Sequence, residues 1–410
     1  MLFVLLNIAT ALQVPIHSVK RPLRLKSSQS TPIELGNYYN ELYYFTIQVG
    51  SSSSELSVMI DTGSKYLWLP GKNCSTCEHA DNFYDSKASS TSKSLSSVYT
   101  FNYGQATVTG TATEDSIKLP SDLSLELNHF TFLSVSEAVN FDNLEADGIL
   151  GLAFEDKTLG FKNFVTELKS QGKIDAASFS LYLNYNYLDE IISTDPPATL
   201  IFGEYDLKYA QENFKYLKIE KSSGYWVSSL DEVKVDILRD GEIQETKGVM
   251  LTAKDVVFHT GSFMLKAPSL EYGNLMNYIT EDYSCYSSYG EIYCVCASLD
   301  DFPVLRFVIG NKEFDLEPEY YVQNSMGMCR IMLVDGGESE HFVLGLPFLR
   351  RYYSYFDYDR GEIGLAPAVK AYKVIYSTGN YLTVASFGLL GTVLGYYFYK
   401  NRKPVKEALL

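Results

Sequence analysis

Basic residues are in short supply in this chain: 34 Lys and Arg stand against 50 Asp and Glu, a formal charge of −16 over 410 residues. Nucleic-acid binding needs a basic face, so this balance argues against that class of partner. Histidine is scarcer still. The five residues, His17, His79, His129, His259 and His341, form no local ligand pattern, so no metal and no other cofactor is expected. Internal repeats with periods of about 20 to 50 residues are missing, which excludes solenoids and propellers. Charge is absent in one further place, because no Asp, Glu, Lys or Arg stands between Val374 and Lys400.

The composition that remains is that of a globular protein, with 46% hydrophobic and 20% charged residues. A chain of this length exceeds one small core, so two lobes are expected. The acidic balance fits an enzyme of an acidic lumen and fits plain solubility equally well. Leu2 to Ile8 is apolar and precedes Ala9-Thr10-Ala11, a small-x-small cleavage pattern, which reads as a secretory signal. Lys20, Arg21, Arg24 and Lys26 follow with no acid before Glu34, as in a short basic pro-segment or a solvated linker.

At the far end, Tyr381 to Tyr399 is an uncharged run whose helical length of about 28 Å matches a bilayer core. Tyr381, Tyr396, Tyr397 and Tyr399 border it, and Lys400, Arg402, Lys403 and Lys406 follow, which puts the tail in the cytosol. A removable lipid-anchor signal would end in its apolar stretch, and this one does not. A single-pass anchor on a monomer is expected, with Gly391 and Gly395 as the spacing through which such spans dimerise. The expected layout is therefore a signal over 1–11, a pro-segment over 12–36, lobes over 37–215 and 216–368, a stalk over 369–380, a transmembrane helix over 381–399 and a tail over 400–410.

Between the ends the chain alternates short β-branched and aromatic runs with turn clusters. Tyr43 to Val49, Leu56 to Ile60, Thr107 to Thr113, Phe179 to Leu183, Trp226 to Asp236 and Arg306 to Ile309 read as strands. Ser86 to Ser97 reads as a surface loop. Helical patterns are short, at Lys162 to Lys169 and Ser269 to Ile279. The class is all-β.

Two stretches repeat one turn. Ile60-Asp61-Thr62-Gly63-Ser64 returns as Phe258-His259-Thr260-Gly261-Ser262. With Trp68 and Pro70 after the first turn, Tyr103-Gly104 on a hairpin, and Ala146 to Leu152 matched by Phe342 to Leu349, the chain from about Asn37 to Pro367 resembles the pepsin-like aspartic proteases. That resemblance implies a bilobal fold, polypeptide substrates and no cofactor. It implies that the residues at 61 and 259 face each other across the cleft, that Thr62 and Thr260 cross-bond the loops, and that Gly63 and Gly261 allow close approach. It further implies that Ser64 and Ser262 bond the outer carboxylate oxygens, and that Tyr103, oriented by Trp68, closes over bound peptide.

In such proteases two carboxylates about 3 Å apart share a proton, one acting as base and one as acid, a known property of aspartic-protease pairs. Here His259 stands at the second carboxylate's position, and Phe263 stands where a small hydroxyl is usual. Asp255 lacks the following Thr-Gly and is not the missing acid. An imidazole beside a carboxylate is favoured as its cation, so Asp61 as base and His259 as acid is one expectation. A peptide-binding pseudoprotease is the second, because a ring is bulkier than a carboxyl group and about 1 Å of misplacement costs on the order of 100-fold. A structural surface protein is the third.

Six cysteines in an oxidising lumen are expected to pair completely. Cys74-Ser75-Thr76-Cys77 has the form of a redox or zinc motif, whereas the resemblance implies a small-loop disulfide. It also implies a bridge from Cys296 to Cys329, leaving Cys285 with Cys294. Spacing alone permits other pairings of these four.

Overall fold

The computed structural model describes residues 31–38, 40–184, 198–239, 242–300, 302–325 and 327–369. The expected signal, most of the pro-segment, the transmembrane run and the tail lie outside the described residues. Among the described residues no helix is long and apolar enough to cross a membrane.

Strand alternation builds the same motif twice. Ser54–Asp61 carries buried Leu56, Val58 and Ile60 on one face, and it pairs in parallel with Gly148–Gly151, Val58 opposite Gly148 and Asp61 opposite Gly151. Leu67–Pro70 runs antiparallel to that second strand and parallel to Asp122–Val139. In the other half Asp255–Phe258 pairs in parallel with His341–Leu344. Leu265–Ala267 then runs antiparallel to His341–Leu344 and parallel to Leu333–Asp335. Each arrangement sits in an eight-stranded sheet and ends one strand at a Thr-Gly-Ser turn.

A third sheet joins the halves. It has six strands, three from each half, in the order Ile33–Glu34, Thr199–Phe202, Ser178–Tyr182, Tyr352–Asp357, Glu362–Pro367, Lys215–Lys218. Two consequences follow for the expected layout. Ile33–Glu34, placed in the pro-segment by its basic neighbours, is an edge strand of the joining sheet and buries Ile33. The boundary between 215 and 216 falls inside Lys215–Lys218, so the lobes share backbone hydrogen bonds there. One continuous apolar core runs from Phe45 in the first half to Phe348 in the second. Trp226 is fully buried at the junction, where its Nε1 donates to the Leu152 carbonyl at 2.8 Å.

Ser86 to Ser97 is only partly a loop. Lys93–Tyr103 is a strand, paired with Ala106–Leu119 and mostly exposed along its first residues. Serine-rich sequence forms strand here because the ladder, not side-chain burial, holds it. Ser269–Ile279 is helical, and Phe164–Ser170 is a short helix whose N-terminal N–H groups of Val165 and Thr166 donate to the Asn163 side chain.

All six cysteines are paired, as Cys74–Cys77, Cys285–Cys294 and Cys296–Cys329. Cys294 lies opposite both Cys285 and Cys329 in a four-stranded sheet. The bridge follows the Cys285 contact, with Cα atoms 4.0 Å apart.

Candidate active site

The two Thr-Gly-Ser turns meet at the junction and are locked to each other. Thr62 N–H donates to Thr260 Oγ1 at 2.9 Å, and Thr260 N–H donates to Thr62 Oγ1 at the same distance. Each hydroxyl then donates onward across the junction, Thr62 Oγ1 to the Phe258 carbonyl at 2.8 Å and Thr260 Oγ1 to the Ile60 carbonyl at 2.7 Å. All four polar atoms are buried, so each bond replaces a desolvation cost that would otherwise be unmet. The threading segments fasten the turns from behind, with Ala153 N–H to the Ser64 carbonyl and Leu346 N–H to the Ser262 carbonyl.

This cross-bonding brings the side chains at 61 and 259 together. Asp61 Oδ1 lies 2.9 Å from His259 Nε2 and also accepts the Gly63 N–H at 2.8 Å. The packing requires glycine on both turns. A Cβ on Gly63 would stand 2.1 Å from His259 Nε2, and one on Gly261 would stand 2.5 Å from Asp61 Oδ1. The imidazole thus lies directly over the first turn. Burial pushes the Asp61 carboxyl up, but the His259 charge and hydrogen bond, with help from Ser64 and Gly63, outweigh it and hold Asp61 below its ordinary value.

The two serines do not play matching parts. Ser262 Oγ donates to the Met264 carbonyl at 2.9 Å, not to the residue at 259. An imidazole whose Nε2 faces Asp61 offers that hydroxyl no outer carboxylate oxygen. Ser64 Oγ acts on Asp61 and Tyr103 electrostatically, yet completes no hydrogen bond of regular geometry among the described residues.

Tyr103 and Gly104 sit at the tip of the hairpin formed by Lys93–Tyr103 and Ala106–Leu119, with Tyr103 opposite Ala106. Asn140 Nδ2 donates to the Gln105 carbonyl at 2.8 Å and steadies the tip. Burial and the nearby Asp61 charge push the Tyr103 phenol well up, so it stays a neutral donor. Trp68, fully buried, is near Tyr103, but its Nε1 completes no hydrogen bond of regular geometry among the described residues. Phe141 bridges them instead, edge-on to Tyr103 at 5.6 Å and to Trp68 at 5.2 Å. The residue patterns around Trp68 did not reveal Phe141, which has no motif of its own.

Asp147 is the other structural anchor. Its buried carboxylate accepts from Ser57 N–H and Oγ and from the N–H groups of Asp81 and Asn82, tying the Cys74–Cys77 region to the strand that carries Asp61. Phe263, beside the second turn, is 37% exposed and lies under the Arg330 guanidinium, which pairs with Glu41 and Glu291. Asp255, at the far end of its strand, is 3.8 Å from His341 and takes no part in the pair.

A paired sheet architecture with cross-bonded Thr-Gly turns defines a class. The family model described as eukaryotic aspartyl protease matches residues 42–368, and the chain belongs to that family. Among its relatives, plasmepsin IV of Plasmodium falciparum is 30% identical, covering 83% of this chain and 72% of the relative. Pepsin A of Bos taurus is 28% identical over 81% of this chain and 86% of its own. Cathepsin D of Chionodraco hamatus is 27% identical over 86% and 88% respectively.

Proposed function

We propose that this chain is a membrane-anchored, lumen-facing protein that takes extended polypeptides into the cleft over Asp61 and His259 and hydrolyses them weakly. The observation that carries the reading is the 2.9 Å contact between Asp61 Oδ1 and His259 Nε2. It matches the separation of about 3 Å at which two carboxylates work as a pair. In this scheme His259 replaces the second carboxylate, the depressed Asp61 is the base that takes a proton from water, and the imidazolium is the acid toward the leaving amine. Tyr103 closes over the bound chain, and the Thr62–Thr260 lock holds both groups in register. Family membership supports a polypeptide ligand and a secretory-pathway setting; the anchor rests on the uncharged run 381–399 and its basic flank.

A second reading has its own observation. The imidazole covers Gly63, so a ring occupies space over the first turn. On that reading the cleft binds polypeptide without turnover, as a pseudoprotease. Purified protein tested on a mixed peptide library from about pH 3 to 8 separates them. Weak cleavage with an optimum at about pH 5 to 7, where imidazoles generally change charge, supports the first. Binding of a hydroxyl-containing transition-state mimic with no cleavage supports the second, and failure to bind or cleave overturns both.

A further inference from the structure

The junction carries a cation that the chemistry above leaves unused. Lys65 follows Ser64 directly on the first turn. Its main chain is fixed on either side, by Ala153 N–H on the Ser64 carbonyl at 2.7 Å and Gly151 N–H on the Tyr66 carbonyl at 3.1 Å. The side chain crosses to the Gly224-Tyr225 segment that enters the second half of the chain. Its Nζ lies 5.0 Å from the centre of the Tyr225 ring, and 2.9 Å from where a Cβ on Gly224 would stand. Any larger residue at 224 would push the ammonium away.

Acidic neighbours do not neutralise it by contact. The Thr158 hydroxyl at 2.7 Å and N–H at 2.9 Å, and then the Lys65 charge, hold the Asp156 carboxyl below its ordinary value, but Asp156 forms no ion pair with the ammonium. Glu155 Oε2 accepts the Asn163 N–H at 3.1 Å. Lys65 forms no ion pair among the described residues. An ammonium half-buried against a ring face, with its donors unmet by carboxylate, is primed for an anion from outside. Tyr225 is 38% exposed, and the Phe258 N–H on the Trp226 carbonyl at 3.0 Å sets it beside the second turn, so the Lys65–Tyr225 pair borders the Asp61–His259 pair.

We propose that Lys65 and Tyr225 form a carboxylate-selecting subsite beside the Asp61–His259 pair. It takes an Asp or Glu side chain, or the terminal carboxylate, of the bound polypeptide. The ammonium supplies the charge and the Tyr225 hydroxyl a second donor. This rests on reading the cleft as a polypeptide-binding site.

The test uses the full chain in detergent and octapeptide pools in which one position is fixed as Glu, Gln or Lys, with free or amidated C-termini. Binding is read by displacement of a labelled transition-state mimic. Native protein is expected to favour Glu over Gln at one position, or free over amidated termini, by about tenfold, a preference that shrinks with salt. The two arms separate the side-chain source from the terminal one. Lys65→Gln should abolish the preference while the neutral pools still bind, Lys65→Glu should turn it toward the Lys pool, and Tyr225→Phe should reduce it about threefold. Pools that bind without charge preference, or a preference that survives in Lys65→Gln, would overturn the subsite alone. Displacement of the mimic by no pool at all would sink the cleft reading and the subsite with it.

Discussion

Asp61 and His259 occupy matching ends of matching strands, yet the protein treats them differently. The Asp61 side chain is 4% exposed and receives two donors on one oxygen, whereas the His259 side chain is 28% exposed. Ser64 stays with its turn's charge, and Ser262 turns to a backbone carbonyl. The backbone frame is thus duplicated while the polar shell is specialised. Symmetry in this molecule belongs to what the Thr and Gly residues do, and the asymmetry lies in the side chains at 61 and 259.

Breaking the charged half of the comparison should have the largest effect. Asp61→Ala is expected to lower any native peptide cleavage by about 1,000-fold or more, since it removes the base. Residual cleavage of the same pattern in Asp61→Ala, followed by mass spectrometry of products, would deny Asp61 that part.

The shared frame should break equally from either side. Thr62→Val and Thr260→Val each strand a buried N–H, at a cost of about 1–3 kcal/mol in chemical denaturation. Each hydroxyl bonds only backbone groups, so the two substitutions remove different bonds and the double variant should cost about the sum. A marked difference between the single variants would show that the lock is not symmetric.

Acid should act on the first turn. The folded Asp61 titrates below its ordinary 3.8. The stability it contributes is present above that value and lost as pH falls through the lower folded value. His259→Leu removes the charge that outweighs burial, so the Asp61 value should then rise above the ordinary one. The sign of this contribution reverses: stability is then lost as pH rises. Thermal melts between about pH 2 and 6 for both proteins check the crossing.

The serines give the smallest effect. Ser262→Ala should cost about 1 kcal/mol through the lost bond to Met264 and leave Asp61 titration unmoved. Ser64→Ala should raise the Asp61 value and, by linkage, lower stability at pH above it by a small amount. Carboxyl NMR titration of both variants distinguishes them, and identical curves would erase the proposed division of labour.

How much of this was legible follows from where each signal sits. The two turns, the cross-bonding threonines and the Ser269–Ile279 helix are local patterns in which residue type and spacing carry the structure. Lys93–Tyr103 was hidden because its serines are exposed and only the ladder to Ala106–Leu119 makes it a strand. Phe141 reaches Trp68 and Tyr103 from a distant segment, and Lys65 meets Tyr225 across 160 positions, so neither contact has a sequence period. The turning away of Ser262 depends on the hydrogen-bond geometry around the imidazole at 259, which composition does not encode.

The central claim is that an intact two-turn frame surrounds one altered side chain. Its most direct test is His259→Asp, assayed beside native protein on the same peptide library across about pH 3 to 8. The variant is expected to gain on the order of 100-fold or more in cleavage, with an acid optimum, blocked by a hydroxyl-containing transition-state mimic, while native protein cleaves little at about pH 3 to 4. Strong native cleavage at about pH 3 would contradict the account, as would a folded His259→Asp variant that binds the mimic and stays inert.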